Sequence, residues 1–224
     1  DGVFFFFFKC ENISFARRFY PHKNKGEGQF MAVLHNKNTL YENASIKKKN
    51  TLKIDKIVYD WFDYFHNHTE ISWQEINTTK KIALILDEMQ VPYKKFDDVP
   101  GLVAEIGSGE EIIAVRADMD ALWQEVDSVM QANHSCGHDA NITMVLGALY
   151  ELRSRSLGKR IRFIFQPAEE AGGGALSMVE RGAIDDVSYL FGIHLRPQDE
   201  LPLGKITPAI HHGAAVFLSG TVTG

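Results

Sequence analysis

Four polar clusters hold the residue types that metal chemistry needs. They are Arg116-Ala117-Asp118-Met119-Asp120, His134-Ser135-Cys136-Gly137-His138-Asp139, Gln166-Pro167-Ala168-Glu169-Glu170 and the single His194. Thiolate, imidazole and carboxylate are ligands for transition-metal ions. Cys136-x-His138 on an extended segment sends both side chains to one side. Adjacent glutamates divide naturally between binding a metal and handling a proton. Taken singly, each cluster has a plainer role. Asp118 and Asp120 suit caps or a surface pair, and Cys136 suits a small buried hydrophobe. Glu169 and Glu170 suit a helix N-terminus, and His194 suits a hydrogen-bonded core position. Together they favour a metal site.

The elements between the clusters must bring them together. Apolar runs at 101–106, 112–117, 161–165 and 189–193 read as strands. The third is nearly all apolar, the pattern of a strand buried on both faces. Ile57, Val58, Trp61, Phe62 and Phe65 recur at helical spacing and predict a helix ending near His66. Ser72-Trp73-Gln74-Glu75 reads as a capping box. The helix it opens carries Ile76, Ala83, Leu86 and Met89 on one face and stops before Pro92. Further helices are expected over 141–152, with Met144, Leu146, Leu149 and Leu152 inward, and over 175–180. This alternation predicts an α/β fold, a mixed and largely parallel sheet flanked by helices. Sites in such sheets form at the carboxyl ends of strands, where the clusters sit.

Composition narrows the function. Of 224 residues, 45% are hydrophobic and 24% charged, a globular mix that excludes whole-chain disorder and fibrous classes. The longest apolar run, Val3 to Phe8, is far short of a membrane span. No basic segment precedes it and no clear cleavage site follows, so it does not read as a secretory signal. Two cysteines, Cys10 and Cys136, exclude a disulfide framework. A net charge of -5 argues against nucleic acid as a partner. Residues 1–56 nevertheless hold 11 Lys+Arg against 5 Asp+Glu, with no sustained period. Residues 1–55 therefore read as a poorly ordered or non-family extension, with a basic binding arm as the minor alternative. Gly172-Gly173-Gly174 lacks the Gly-Lys-Ser/Thr of a phosphate loop, and no Gly-x-Ser-x-Gly elbow is present.

In their order, the quoted motifs resemble the aminoacylase/carboxypeptidase family of metal-dependent amidohydrolases. They are Arg116 to Leu122, Cys136-Gly137-His138-Asp139, Phe165 to Glu170, and Phe191-Gly192-Ile193-His194. The match is closest to its hippurate hydrolase, N-acetyl-diaminopimelate deacetylase and auxin-conjugate hydrolase branch, over roughly residues 58–224. His66-Asn67-His68-Thr69-Glu70 is similar to the family's early His-x-His-Pro-Glu element, with Thr69 in place of proline. The resemblance implies the N-terminal part of a zinc-peptidase-like catalytic domain over 56–207. It places the first strand of an inserted α+β lid or dimerisation domain at 208–224. It implies two divalent metal ions, zinc or manganese, with cobalt or nickel as alternatives. Cys136 would bridge them, with His138, Glu170 and His194 as further ligands. Glu169 would act as general base and then acid, and Asp120 would orient the site. Asp118 would stand outside the ligand set.

The implied activity is hydrolysis of N-acyl amino acids or small peptide-like amides, by a homodimer. The alternative is a non-catalytic metal-binding or regulatory homologue, since Asn141 replaces a common histidine and Trp123 a common proline. Family members are longer and supply their last metal-binding histidine near the C-terminus. The chain therefore reads as a fragment, inactive by itself, with His211 and His212 no substitutes for that ligand. A thiolate ligand without an export signal fits the cytoplasm. No nucleic-acid or membrane partner is expected.

Overall fold

The computed structural model describes residues 16–18, 30–32, 44–197, 199–202, 205, 207 and 220, with side chains from Lys56 onward. Strands β1 (Ala16–Arg18) and β2 (Phe30–Ala32) pair antiparallel. Helix α1 (Ala44–Asn67) follows. It begins well before Ile57, where the regular apolar spacing starts. The intervening segment has no such stripe, but Ala and Lys are good helix formers. The expected strand near 215–222 falls outside the described residues, apart from Gly220.

The remaining elements are α2 (Ile76–Glu88), β3 (Tyr93–Lys95), β4 (Leu102–Gly107), β5 (Ile112–Asp118), β6 (Leu122–Val126), β7 (Val129–Asn133), α3 (His138–Leu152), β8 (Arg160–Gln166), α4 (Gly174–Glu180) and β9 (Val187–Gly192). Five strands form one sheet in the order β3-β4-β8-β5-β9. β5 runs parallel to β8 and β9, whereas β4 is antiparallel to both its neighbours. Four strands therefore share a direction and β4 opposes them. Among the described residues, no helix is long and apolar enough to cross a membrane.

Side-chain alternation along β8 separates two apolar layers. Phe163 and Phe165 pack with Phe65 of α1, Leu86 of α2 and Leu146 of α3. Ile164 points the other way, into a smaller cluster with Met178 of α4 and Ala183. Helices thus cover both faces. Strand register then fixes the site. Asp118 lies opposite Gln166, and Arg116 lies opposite Gly192. The carboxyl ends of β5, β8 and β9 therefore reach one edge together, where the residues that follow them meet.

Several local expectations are corrected. α3 starts at His138, and its buried face is Ile142, Val145, Leu146 and Leu149; Leu152 packs against the core as expected, whereas Met144 is only half-buried. Ile76 is exposed, not inward. The β6–β7 hairpin is new, because Trp123, Val129 and Met130 are exposed and leave no alternating buried pattern. The Ser72–Glu75 capping box does not form. Glu70 caps α2 instead, accepting from the backbone N–H groups of Asn77 at 3.1 Å and Thr78 at 2.7 Å. Ser72 and Glu75 are left free to act elsewhere.

Candidate metal centre

Cys136 and His138 reach the site from the turn between β7 and α3. Gln124 on β6 donates to Asn133 and Ser135, tying the hairpin to this turn. Gly137 sits at φ 91°, a left-handed conformation that suits glycine and lets the turn enter α3. His138 is fully buried, and its Nδ1–H donates to the Asp120 carbonyl at 2.8 Å. That bond fixes the tautomer and leaves the Nε2 lone pair facing the site. Among the described residues, Nε2 has no hydrogen-bond partner. Around it stand Asp118 Oδ2 at 3.5 Å, Glu170 Oε1 at 3.8 Å and Glu169 Oε2 at 3.9 Å.

His194 follows β9 and crosses the His138 ring edge to face, with centroids 5.4 Å apart. Its Nδ1–H donates to the Leu195 carbonyl at 2.6 Å, and its Nε2 stands 3.5 Å from Cys136 Sγ. The donor atoms of Cys136, His138 and His194 lie within 4.8 Å of one another, as do those of His138, Glu169 and Glu170. Tetrahedral ligands at 2.0–2.3 Å from one ion stand roughly 3.3–3.8 Å apart, so small adjustments close either group around a cation. The two groups share His138. A buried, unpartnered imidazole nitrogen ringed by sulfur and carboxylates is what a cation site requires.

Electrostatics favour positive charge at the same place. Burial alone would lower the His138 pKa. The Asp120 hydrogen bond, Cys136 and the Asp118 charge overcome it and push the imidazole up to about 11. Burial likewise opposes ionisation of Cys136, but His138 and His194 outweigh it and lower the thiol. Burial is the main reason that Glu170 is raised. Asp118 is lowered despite complete burial, because Arg116, His138, His194 and Asn141 favour its charge. Its Oδ2 accepts from Arg116 Nη1 and its Oδ1 from Asn141 Nδ2, both at 2.7 Å. With both oxygens engaged, Asp118 joins neither donor group. Asn141 thus supports Asp118, and Trp123 stands on the exposed hairpin.

Asp120 organises the loop that carries the glutamates. Its Oδ1 accepts the Glu169 N–H at 3.1 Å, and its Oδ2 accepts the Glu170 N–H at 2.8 Å and the Ser72 hydroxyl at 2.6 Å. Burial would raise this carboxyl, but the donors, His138 foremost, hold it at about 2. The glycine run closes the loop. A Cβ on Gly174 would stand 1.7 Å from the Pro167 carbonyl oxygen, so no larger residue fits. Behind the site, His66 Nδ1–H donates to Asp139 Oδ2 at 2.7 Å, fixing the residue after His138. His68 stacks on Tyr64, and its Nδ1–H donates to the Tyr64 carbonyl at 2.8 Å.

The structure thus brings Cys136, His138, Glu169, Glu170 and His194 together, with Asp120 beneath them. Sequence reasoning missed Ser72 and Glu75, which grip the same loop. The only local signal was the polar tetrad that reads as a helix cap.

The family model for Peptidase family M20/M25/M40 matches residues 114–217. N-acetylcysteine deacetylase of Bacillus subtilis is 41% identical over 159 residues, 63% of this chain and 40% of that protein. Residues 114–217 therefore carry a Peptidase family M20/M25/M40 domain. IAA-amino acid hydrolase ILR1-like 4 of Arabidopsis thaliana is 38% identical over 165 residues, covering 66% of this chain and 37% of that protein. The chain spans less than half the length of these relatives. A crystal structure of the Bacillus subtilis YXEP protein, a dinuclear metal binding peptidase from the M20 family, superposes with a TM-score of 0.57. It is 35% identical, and the match covers 63% of this chain and 43% of that one. The mixed sheet flanked by helices is therefore the M20 arrangement.

Proposed function

We propose that the protein containing this chain is a metal-dependent amidohydrolase acting on N-acyl amino acids or similar amides. One observation carries the reading: the unpartnered Nε2 of buried His138 faces Cys136, His194, Glu169 and Glu170 at a single sheet edge. In this proposal Cys136, His138, Glu170 and His194 would hold two divalent cations. Cys136 would serve both, and its lowered pKa supports the thiolate form. When bound, such ions acidify water to a pKa of roughly 7 and polarise a carbonyl oxygen.

The chain's own residues do the rest. Glu169 is partly exposed, its side chain 44% accessible, so it can meet a substrate's water from the open side. It takes a proton from that water and returns it to the leaving amine. Asp120 holds both glutamates by their backbone N–H groups, which keeps the ligand and the proton carrier in fixed relation. The Asp120 carbonyl holds the His138 tautomer that leaves Nε2 open. Thiolate softness supports zinc; manganese is the second choice. The names of two relatives, an N-acetylcysteine deacetylase and an IAA-amino acid hydrolase, support an acyl or conjugated amino acid as substrate. A non-catalytic role is not favoured, because neither Asn141 nor Trp123 disturbs the ligands or Glu169. We further propose a cytoplasmic homodimer, with residues 208–224 opening its lid or dimerisation domain.

The test is release of free amino acid by the metal-supplemented full-length protein from N-acetyl and N-benzoyl amino acids. Turnover removed by a chelator and restored by zinc or manganese is expected. Metal binding without turnover on any such amide would reject the catalytic reading.

A further inference from the structure

The loop that carries Glu169 and Glu170 is held by more than Asp120. Four consecutive backbone N–H groups point into side-chain acceptors. Ala168 donates to Glu75 Oε1 at 2.7 Å, Glu169 and Glu170 donate to Asp120, and Ala171 donates to Ser72 Oγ at 3.1 Å. Ala168 needs its anchor. It is fully buried at φ 49°, a left-handed conformation that costs a non-glycine residue free energy. Glu75 is itself fully buried, and among the described residues its Oε2 has no hydrogen-bond partner. A carboxyl at this depth with one unpartnered oxygen destabilises the fold unless something offsets it. It is not a helix cap, since Glu70 fills that role. Its main chain is fixed by Thr79, whose hydroxyl donates to the Glu75 carbonyl at 2.7 Å and accepts from the Gly101 N–H. The carboxyl is therefore delivered from a rigid helix start to one atom, the Ala168 nitrogen.

We propose that Glu75 is a positioning residue that aims the Glu169-Glu170 pair by holding Ala168 in its left-handed conformation. The inference rests on the reading of those glutamates given above. Glu75 touches no reacting atom and acts through the backbone. What it supplies is an acceptor oxygen at the right reach, so an amide should replace it and a shorter side chain should not.

The test compares wild type, Glu75→Ala, Glu75→Gln and Glu75→Asp in the full-length protein. Hydrogen exchange without added metal reads the 168–171 amides directly. Steady-state kinetics on an N-acetyl amino acid read the consequence. Glu75→Ala is expected to lose protection at 168–171 while β4 and β8 stay protected. Its kcat should fall about tenfold to a hundredfold, with KM within about twofold, as for a small misplacement of a reacting group. Glu75→Gln should restore protection and bring kcat to within about threefold of wild type. If Glu75→Ala does not fold, Glu75→Asp takes its place, because its carboxyl stops about 1.5 Å short. Wild-type protection and kcat in the truncated variants, or a Glu75→Gln variant as defective as they are, overturns the proposal. A wild type without amidase activity sinks the functional reading instead, and the exchange comparison alone then decides on Glu75.

Discussion

Replacing Glu75 by glutamine should change how stability depends on pH, by an amount the structure sets. The carboxyl is fully buried, and burial pushes its pKa from 4.5 up to about 7. Hydrogen bonds from Ala168 and its own backbone oppose that rise, and the charges of Asp120 and Glu70 add to it. Below pH 4.5 both folded and unfolded chains carry this proton. Between 4.5 and about 7 only the folded chain does, so unfolding releases a proton and stability falls as pH rises. Above about 7 both forms are ionised and the loss is complete. At about 1.4 kcal/mol per pH unit, the total loss is about 3 kcal/mol. Glutamine carries no such proton. The stability of Glu75→Gln minus that of wild type should therefore climb by about 3 kcal/mol between about pH 4.5 and pH 8. Urea unfolding of both proteins across that range measures it. Taking the difference removes the groups that titrate alike in both. A difference that stays flat within about 1 kcal/mol, or that falls with pH, refutes the reasoning.

Glu169→Gln should keep metal content and overall stability while kcat drops about a hundredfold or more, read by kinetics beside elemental analysis. Asp120→Ala strands the Ser72 hydroxyl and two backbone N–H groups, so unfolding in urea should show a loss of about 2–5 kcal/mol. Glu70→Ala removes the acceptor from the first turn of α2 and should cost about 1–2 kcal/mol by the same assay, with metal content unchanged.

The sheet was legible because its strands announce themselves. Ile161 to Phe165 is apolar at every position except Arg162, and it forms most of the central strand β8. The four clusters fall at strand ends on sequence pattern alone, because a parallel sheet leaves few other places for them. What stayed hidden has physical causes. β6 and β7 expose Trp123 and Met130, so no buried alternation marks them. β3 is three residues long, too short for any period. The Ser72–Glu75 segment misled because Ser and Glu at that spacing suit a helix start, while their acceptors serve a loop almost a hundred residues further on. Local pattern cannot register a partner at that separation. Likewise, nothing near Asp118 in sequence signals that Arg116 and Asn141 engage both its oxygens.

Under the proposed function, Cys136 would be the ligand shared by two cations. Elemental mass spectrometry of the full-length protein, beside Cys136→Ser, tests it most directly. The wild type should hold about two divalent ions per chain, and the variant should lose most of them. No bound ion in the wild type after zinc and manganese are supplied, or undiminished occupancy in Cys136→Ser, would contradict the account.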